Sequence, residues 1–200
     1  MKKLLISGFE PFGGETLNPS WEAVSRLPEN IGKYSLSKLL LPVVFGKAAE
    51  IAISTADAIQ PDVVICIGQA GGRIAITPEL VAINLRHGNI PDNEGNQPKD
   101  EPIIKGGKEA YFSTLPVRNI SEAVSEAGVA SSVSYSAGAY VCNDLLYSLL
   151  AHFDNSKTRV GFIHIPYSTE QAKQPSMDIA DIVKGLTVAI EHLDQSRAEK

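Results

Sequence analysis

The amino-acid sequence predicts an α/β fold: a single-domain α/β/α sandwich around a mainly parallel, mixed sheet, spanning residues 1–200. Two largely apolar runs, residues 63–67 and 159–165, have the composition of strands that are buried on both faces of a parallel sheet. Segments with apolar residues at helical spacing alternate with such strands along the chain. This alternation places helices on both faces of the sheet.

The predicted elements follow one another in a regular order. A short strand at residues 4–7 runs into the Gly/Pro-rich loop 8–14, and Asn18 or Ser20 can cap the helix that follows. Further strands are predicted at residues 34–44, 63–67, 80–85, 129–135 and 159–165. Further helices are predicted at about residues 46–59, 120–127, 141–153 and 178–193. Residues 88–107 form a long loop rich in Gly, Pro, Asp and Asn, and loops of this length usually serve a function.

Composition narrows the function classes. The 200 residues suit one compact domain, and the net charge of -5 argues against a nucleic-acid binder, which normally has a basic face. The two cysteines, Cys66 and Cys142, are too few for a disulfide framework and belong to no Cys/His cluster of the kind that binds zinc. The N-terminal apolar run is too short for a signal peptide, so a cytoplasmic protein is predicted.

Cys142 is the candidate nucleophile. It follows the turn-like segment 136–138 and lies near the predicted start of a helix. The partial positive charge at a helix N-terminus favours thiolate and is expected to lower the thiol pKa, and backbone N–H groups there can hold an oxyanion. On residue type alone, a small buried hydrophobe at the start of a core helix is the commoner case, since free cysteines are among the most buried residues. Cys66, in the middle of an apolar strand, is predicted to be an inert core thiol with a high pKa.

Two polar residues are placed where a base and its partner would be needed. His164 lies at the carboxyl end of a buried strand, where catalytic groups gather in α/β folds. Glu79 precedes an apolar strand, and a carboxylate there can orient an imidazole. A hydrogen-bonded strand-end histidine and a solvated loop acid are the alternatives, and spacing does not decide between these interpretations.

A glycine-rich loop, Gly68-Gln69-Ala70-Gly71-Gly72-Arg73, follows the strand at residues 63–67. Its backbone N–H groups and Arg73 are suited to an anion such as phosphate. It lacks the Lys-Ser/Thr of a P-loop and does not match Gly-x-Gly-x-x-Gly. A tight turn that brings the backbone close to some other substrate is the second interpretation.

Together, these segments resemble the pyroglutamyl-peptidase I family of cysteine peptidases, and the resemblance covers nearly the whole chain. The matching segments are Gly8-Phe9-Glu10-Pro11-Phe12-Gly13-Gly14, Asn18-Pro19-Ser20-Trp21-Glu22-Ala23-Val24, Gly68-Gln69-Ala70-Gly71-Gly72-Arg73, Ile76-Thr77-Pro78-Glu79, Ile90-Pro91-Asp92-Asn93, Ser136-Ala137-Gly138, Val141-Cys142-Asn143 and Gly161-Phe162-Ile163-His164-Ile165-Pro166-Tyr167. Each segment alone is a weak signal, whereas their joint presence in this order is specific.

The resemblance implies a cysteine peptidase that hydrolyses the bond after an N-terminal pyroglutamyl residue through a thioester acyl-enzyme. It implies a Cys-His-Glu triad, which falls on Cys142, His164 and Glu79. Four residues are implied to surround the pyroglutamyl ring: Phe9, Phe12, Gln69 and Val141. The expected partners are peptides with N-terminal pyroglutamate, the expected assembly is a homotetramer, and no metal or organic cofactor is needed.

Two positions depart from the family pattern. Leu80 stands where the family usually has Arg after Ile-Thr-Pro-Glu, and Gly88-Asn89 stands where it usually has Ala-Arg. If an oxyanion donor is lost because Asn89 replaces the family's Arg, turnover is expected to fall on the order of 10²-fold. The sequence therefore leaves two other functions open: a phosphorylase-like α/β enzyme that binds phosphate or a nucleoside, and a catalytically impaired protein that binds pyroglutamyl peptides.

Overall fold

A computed structural model describes residues 1–194 and confirms the α/β class. The strands are β1 (Lys2–Phe9), β2 (Asn30–Ile31), β3 (Tyr34–Leu41), β4 (Val63–Gln69), β5 (Thr77–Pro78), β6 (Val81–Ile83), β7 (Ala110–Phe112), β8 (Arg159–Ile165), β9 (Tyr167–Ser168) and β10 (Ser176–Met177). The helices are α1 (Pro19–Arg26), α2 (Lys47–Ile59), α3 (Val117–Glu126), α4 (Val141–His152) and α5 (Ile179–Glu191), with one 3₁₀ turn at Thr169–Gln171.

The central sheet has six strands in the order β2-β3-β1-β4-β8-β5. The four inner strands, β3, β1, β4 and β8, are parallel, while the edge strands β2 and β5 are antiparallel to their neighbours. Strands β1, β4 and β8 are adjacent, so the three loops that follow them open at the same edge of the sheet. Sites in open α/β sheets form at this edge.

A hydrophobic core covers each face of the sheet. In β4, Ile65 and Ile67 pack towards α1, α3 and α5, whereas Val64 and Cys66 pack towards α2 and α4. Side chains alternate between the faces of a strand, so the next residue that points to α4 is Gly68. On β8, Phe162 belongs to the α2/α4 core and His164 follows on the same face.

The strand predicted at residues 129–135 is wrong. This segment runs beside β5 but forms only two isolated parallel bridges with it. Between those bridges the register places Pro78, which has no N–H to donate to the carbonyl of Ser132, and the ladder is interrupted. The strand predicted at residues 80–85 is shorter, Val81–Ile83, and pairs with β7 in a separate two-stranded sheet.

The other predicted elements are present; β8 has its predicted bounds, and the others have shifted ends. Asn18 is the cap of α1, because its side chain accepts a hydrogen bond from the Ser20 N–H. Residues 88–107 contain neither a helix nor a named strand. Within residues 1–194, no helix combines the length and the hydropathy that crossing a membrane requires.

Candidate active site

The structure brings His164 and Glu79 together at the carboxyl edge of the sheet. β5 pairs antiparallel with β8, so that Thr77 faces His164 and the N–H of Glu79 donates to the carbonyl of Phe162. Glu79 Oε1 then lies 2.7 Å from His164 Nδ1. Both side chains are buried, Glu79 completely. A carboxylate at this distance accepts a hydrogen bond from Nδ1–H, so that Nε2 of the neutral imidazole carries the free lone pair.

Cys142 is the second residue of α4 and its side chain is partly exposed. Its sulfur lies against β4, because a Cβ built on Gly68 would be 3.1 Å from Sγ. Gly68 is the register partner of His164 on β8. The sulfur therefore sits on the same face of the sheet as the imidazole, over neighbouring strands. The prediction that Cys142 lies near a helix N-terminus is confirmed.

Burial is the largest influence on the pKa values of His164, Glu79 and Cys142. It lowers the pKa of His164, although the hydrogen bond to Glu79 works in the opposite direction. Burial would raise the pKa of Glu79, but the hydrogen bond and charge of His164, with the charge of Arg73, hold that pKa below its ordinary value. Burial, with repulsion from the Glu79 carboxylate, raises the pKa of Cys142 to about 12.

The expectation of a lowered Cys142 pKa is therefore wrong. Burial of the sulfur and repulsion from the nearby carboxylate both favour the neutral thiol, whereas the positive end of the α4 dipole favours the thiolate. At neutral pH the ligand-free site holds a thiol beside a neutral imidazole. Cys66 is 1% exposed, and burial raises its pKa to about 12 as well, which confirms it as a core thiol.

Two of the four predicted pocket residues are aromatic and lie near this edge, Phe9 in the core and Phe12 in the following loop. Phe9 ends β1 and is held by its N–H, which donates to the Ser20 hydroxyl at the start of α1. Its ring lies 6.4 Å from that of Phe162, which in turn lies 4.7 Å from the imidazole of His164. Phe12 is half-buried in the following loop, with its ring 6.4 Å from that of Tyr140.

The other two predicted pocket residues, Val141 and Gln69, lie on opposite faces of the sheet. Val141 is fully buried in the α2/α4 core beside Cys142. Gln69 follows Gly68, so its side chain points to the opposite face of β4, where its Oε1 accepts a hydrogen bond from Gln171 Nε2 at 2.9 Å. Gln69 therefore presents its backbone, rather than its amide, to the side of the sheet that carries Cys142.

Sequence reasoning missed two aromatic residues at the mouth of the site. Tyr140 precedes α4, its ring meets that of Phe45 edge-on at 5.1 Å, and its hydroxyl donates to the carbonyl of Pro91. This contact joins the long loop to the residue two positions before Cys142. The sequence does place Tyr140 just before Cys142 and Phe45 just after β3. It does not show that the two rings are in contact, because they are far apart along the chain.

Comparison with known proteins decides the family. The family model described as pyroglutamyl peptidase matches residues 2–196. The chain belongs to the pyroglutamyl peptidase family. Among its relatives, the pyrrolidone-carboxylate peptidase of Erwinia tasmaniensis is 49% identical over 195 residues, covering 95% of this chain and 92% of that protein. The enzyme of the same name from Lactobacillus johnsonii is 47% identical over 194 residues, covering 94% and 90%.

Solved structures of the pyroglutamyl peptidase family share the fold. Pyroglutamyl peptidase I of Bacillus amyloliquefaciens superposes with a TM-score of 0.91 at 48% identity, covering 94% of this chain and 95% of that one. The pyrrolidone carboxyl peptidase of Thermococcus litoralis has a TM-score of 0.95 at 33% identity, covering 100% and 99%. Similarity over the full length confirms the resemblance that the motifs indicated.

The glycine-rich loop is not built as a phosphate cradle. Arg73 ends it, but its Nη1 donates to Glu79 Oε1 at 2.8 Å and is already paired. Within residues 1–194, neither departure from the family pattern forms a hydrogen bond with that pair, although Leu80 directly follows Glu79 in the chain. Leu80 packs partly buried against the core of the α1, α3 and α5 face, and Asn89 is exposed in the long loop.

Proposed function

We propose that Cys142, His164 and Glu79 form the triad of a cysteine peptidase that removes N-terminal pyroglutamate from peptides. The hydrogen bond of 2.7 Å between His164 Nδ1 and Glu79 Oε1 carries this proposal. It fixes the tautomer in which Nε2 is the acceptor, and the sulfur of Cys142 lies over the strand next to that imidazole. Membership of the pyroglutamyl peptidase family supports the choice of substrate.

The reaction begins with a neutral pair. As Sγ of Cys142 attacks the carbonyl carbon that joins pyroglutamate to the next residue, His164 Nε2 takes the thiol proton. Collapse of the tetrahedral intermediate breaks the C–N bond, and the imidazolium gives its proton to the leaving amine. Water then attacks the thioester with His164 as base, releasing pyroglutamate and restoring the thiol. Glu79 stabilises the imidazolium in both halves.

The oxyanion is expected to form at the start of α4. The N–H groups of a first helical turn have no partner within the helix, and the backbone N–H of Cys142 lies at its own sulfur. Asn89, which stands where the family usually has Arg, is exposed and adds no charge. The helix N-terminus is therefore the main source of donors for the developing negative charge.

The substrate suits an uncharged, aromatic-walled site. Pyroglutamate has no free amine, so it needs no carboxylate anchor, and its flat lactam ring can pack against aromatic faces such as Phe9 and Phe12. Proline lacks the lactam oxygen. A donor aimed at that oxygen would be left unpaired by proline, which favours rejection of prolyl peptides.

We also infer, from the family resemblance, a homotetramer that works in the cytoplasm. Light scattering coupled to size-exclusion chromatography measures the assembly directly, and a monomer at working concentration would remove the tetramer from the proposal. The triad chemistry does not depend on this result, because Cys142, His164 and Glu79 all belong to one chain.

Turnover of a pyroglutamyl-arylamide tests the triad. Cys142→Ala is expected to abolish turnover. Cys66→Ser is the matched control and is expected to retain it, because Cys66 is the other thiol and lies in the α2/α4 core. Iodoacetamide is expected to inactivate the wild type. Full turnover by Cys142→Ala would overturn the nucleophile assignment. Binding of 2-pyrrolidone without any turnover by the wild type would instead identify the chain as an impaired binder.

A further inference from the structure

Arg73 is a charged residue beside the triad to which the proposed chemistry gives no role. It lies in the loop between β4 and β5, and its side chain is 29% exposed. Nη1 donates to Glu79 Oε1 at 2.8 Å and also to the Thr77 hydroxyl. Nη2 donates to the Ser136 carbonyl at 3.4 Å. One guanidinium therefore makes three contacts, two of them with residues of the segment that ends in Glu79.

The same carboxylate oxygen serves both neighbours of Glu79. Oε1 accepts from His164 Nδ1 at 2.7 Å and from Arg73 Nη1 at 2.8 Å. Glu79 is fully buried, and an isolated carboxylate in such a place would be protonated. A protonated Glu79 would accept a weaker hydrogen bond from the Nδ1–H of His164, and it would not stabilise an imidazolium. The hydrogen bonds from His164 and Ser134 hold the pKa of Glu79 down, and the ion pair with Arg73 adds to them in keeping the negative charge available.

Arg73 also joins two segments that converge on the site. Thr77 is the register partner of His164 across β5 and β8, so the contact to its hydroxyl fixes Arg73 relative to the base. Ser136 belongs to the loop that leads into α4 and Cys142. The contact to its carbonyl connects the carboxylate side of the triad with the segment that carries the nucleophile.

We propose that Arg73 is a positioning residue: it holds Glu79 ionised and aimed at His164, and anchors this carboxylate to the loop before Cys142. The inference rests on the proposed triad and assigns a role to the last residue of the glycine-rich loop. Arginine is suited to it because a planar fork reaches several oxygens at once, which a lysine ammonium on a flexible stem does not.

The charge of Arg73 acts on all three members of the triad. His164 faces the charges of Glu79 and Arg73, and Cys142 faces the same two charges together with the neutral, titratable thiol of Cys66. Arg73 lowers the pKa of His164 and the pKa of Cys142, opposing the carboxylate in both cases. Without Arg73, the pKa of His164 is expected to rise. The acid limb of kcat/KM, which requires neutral His164, then moves to higher pH.

Two variants separate charge from geometry. Arg73→Gln removes the charge, and Arg73→Lys keeps it without the fork. We expect kcat of Arg73→Gln to fall by about 10- to 100-fold, which is the usual cost of removing a group that orients another group of an active site. KM should change little. Its acid limb should lie at higher pH than that of the wild type. Arg73→Lys should keep the wild-type acid limb and recover part of kcat.

Arg86→Gln is the matched control. Arg86 is 25% exposed and pairs with the fully buried Asp144, so its loss breaks a similar ion pair without touching Glu79. We expect it to lower Tm without moving the acid limb. The inference is overturned if Arg73→Gln keeps both the wild-type kcat and the wild-type acid limb, or if its only effect is the loss of Tm that Arg86→Gln shows. Turnover by Cys142→Ala, measured in parallel, would instead overturn the proposed triad.

Discussion

Gly68 of β4 lies against the sulfur of Cys142. A Cβ at this position would be 3.1 Å from Sγ and 2.6 Å from the ring of Phe162. The backbone of β4 thus supports the sulfur of Cys142, the proposed nucleophile, and only a residue without a side chain leaves room for both neighbours. This contact explains why a glycine follows the apolar run of β4, and it makes position 68 a sensitive probe of the site.

Gly68→Ala is expected to lower kcat on a pyroglutamyl-arylamide by about 10²-fold, because an ångström-scale displacement of a reacting group costs this much. Gly161→Ala is the control. Its Cβ would be 2.3 Å from Leu115, a similar clash on the opposite face of the sheet. Both variants should lower Tm, but only Gly68→Ala should lose kcat in the protein that stays folded. Equal losses of kcat would show that the effect is general destabilisation.

The two thiols are expected to react at different rates in the folded protein. Cys142 is partly exposed, whereas Cys66 is 1% exposed in the core, so a reagent reaches only Cys142. Titration with a thiol reagent should modify one cysteine per native chain and both in denaturant. Cys142→Ser should reduce the native count to zero. Rapid modification of two thiols in the native wild type would contradict the burial of Cys66.

The pH dependence of alkylation tests the neutral thiol–imidazole pair. Because burial raises the pKa of Cys142 to about 12 and lowers that of His164, little thiolate is present at pH 7 in the ligand-free enzyme. The rate with iodoacetamide should keep rising from pH 7 to pH 10. A plateau reached below pH 7 would show instead a preformed thiolate–imidazolium pair.

Glu79→Gln is expected to lower kcat by about 10²- to 10⁴-fold, since an amide does not hold the imidazole in one tautomer or stabilise its cation. It should also lower the free energy of unfolding by about 1–3 kcal/mol at pH 7, because hydrogen bonds to a charged group are lost while the Arg73 left behind is 29% exposed and stays partly solvated. Urea unfolding measures this difference. A variant with wild-type kcat would remove Glu79 from the triad.

The pH dependence of that stability difference follows from the lowered pKa of Glu79. A carboxyl group whose pKa is lower in the folded state stabilises the fold at every pH above its unfolded pKa, which is about 4.3. The contribution is lost as pH falls through the folded value. The gap between wild type and Glu79→Gln should therefore be full at neutral pH and narrow in acid. A gap that widens in acid would contradict the ionised state.

Much of the fold could be predicted because it depends on local patterns. The apolar run of β8 is buried on both faces, and its predicted bounds, Arg159–Ile165, agree with the structure. The cap at Asn18 follows from a side chain that accepts from nearby N–H groups. The segment at residues 129–135 has a strand-like composition, yet its pairing depends on a neighbour distant in sequence. Pro78, which interrupts the ladder, acts across that pairing.

By itself, the sequence determined the α/β class and the family, and it supplied Cys142, His164 and Glu79 as the proposed triad, because periodicity and motif order are properties of the chain. The tertiary structure decided how these residues behave. Burial and the Glu79 carboxylate, which sequence does not measure, raise the pKa of Cys142 where a helix N-terminus alone would lower it. Strand alternation directs Gln69 away from the sulfur, and β5 beside β8 brings Arg73 to Glu79. Each outcome depends on distances in space between residues far apart in the chain.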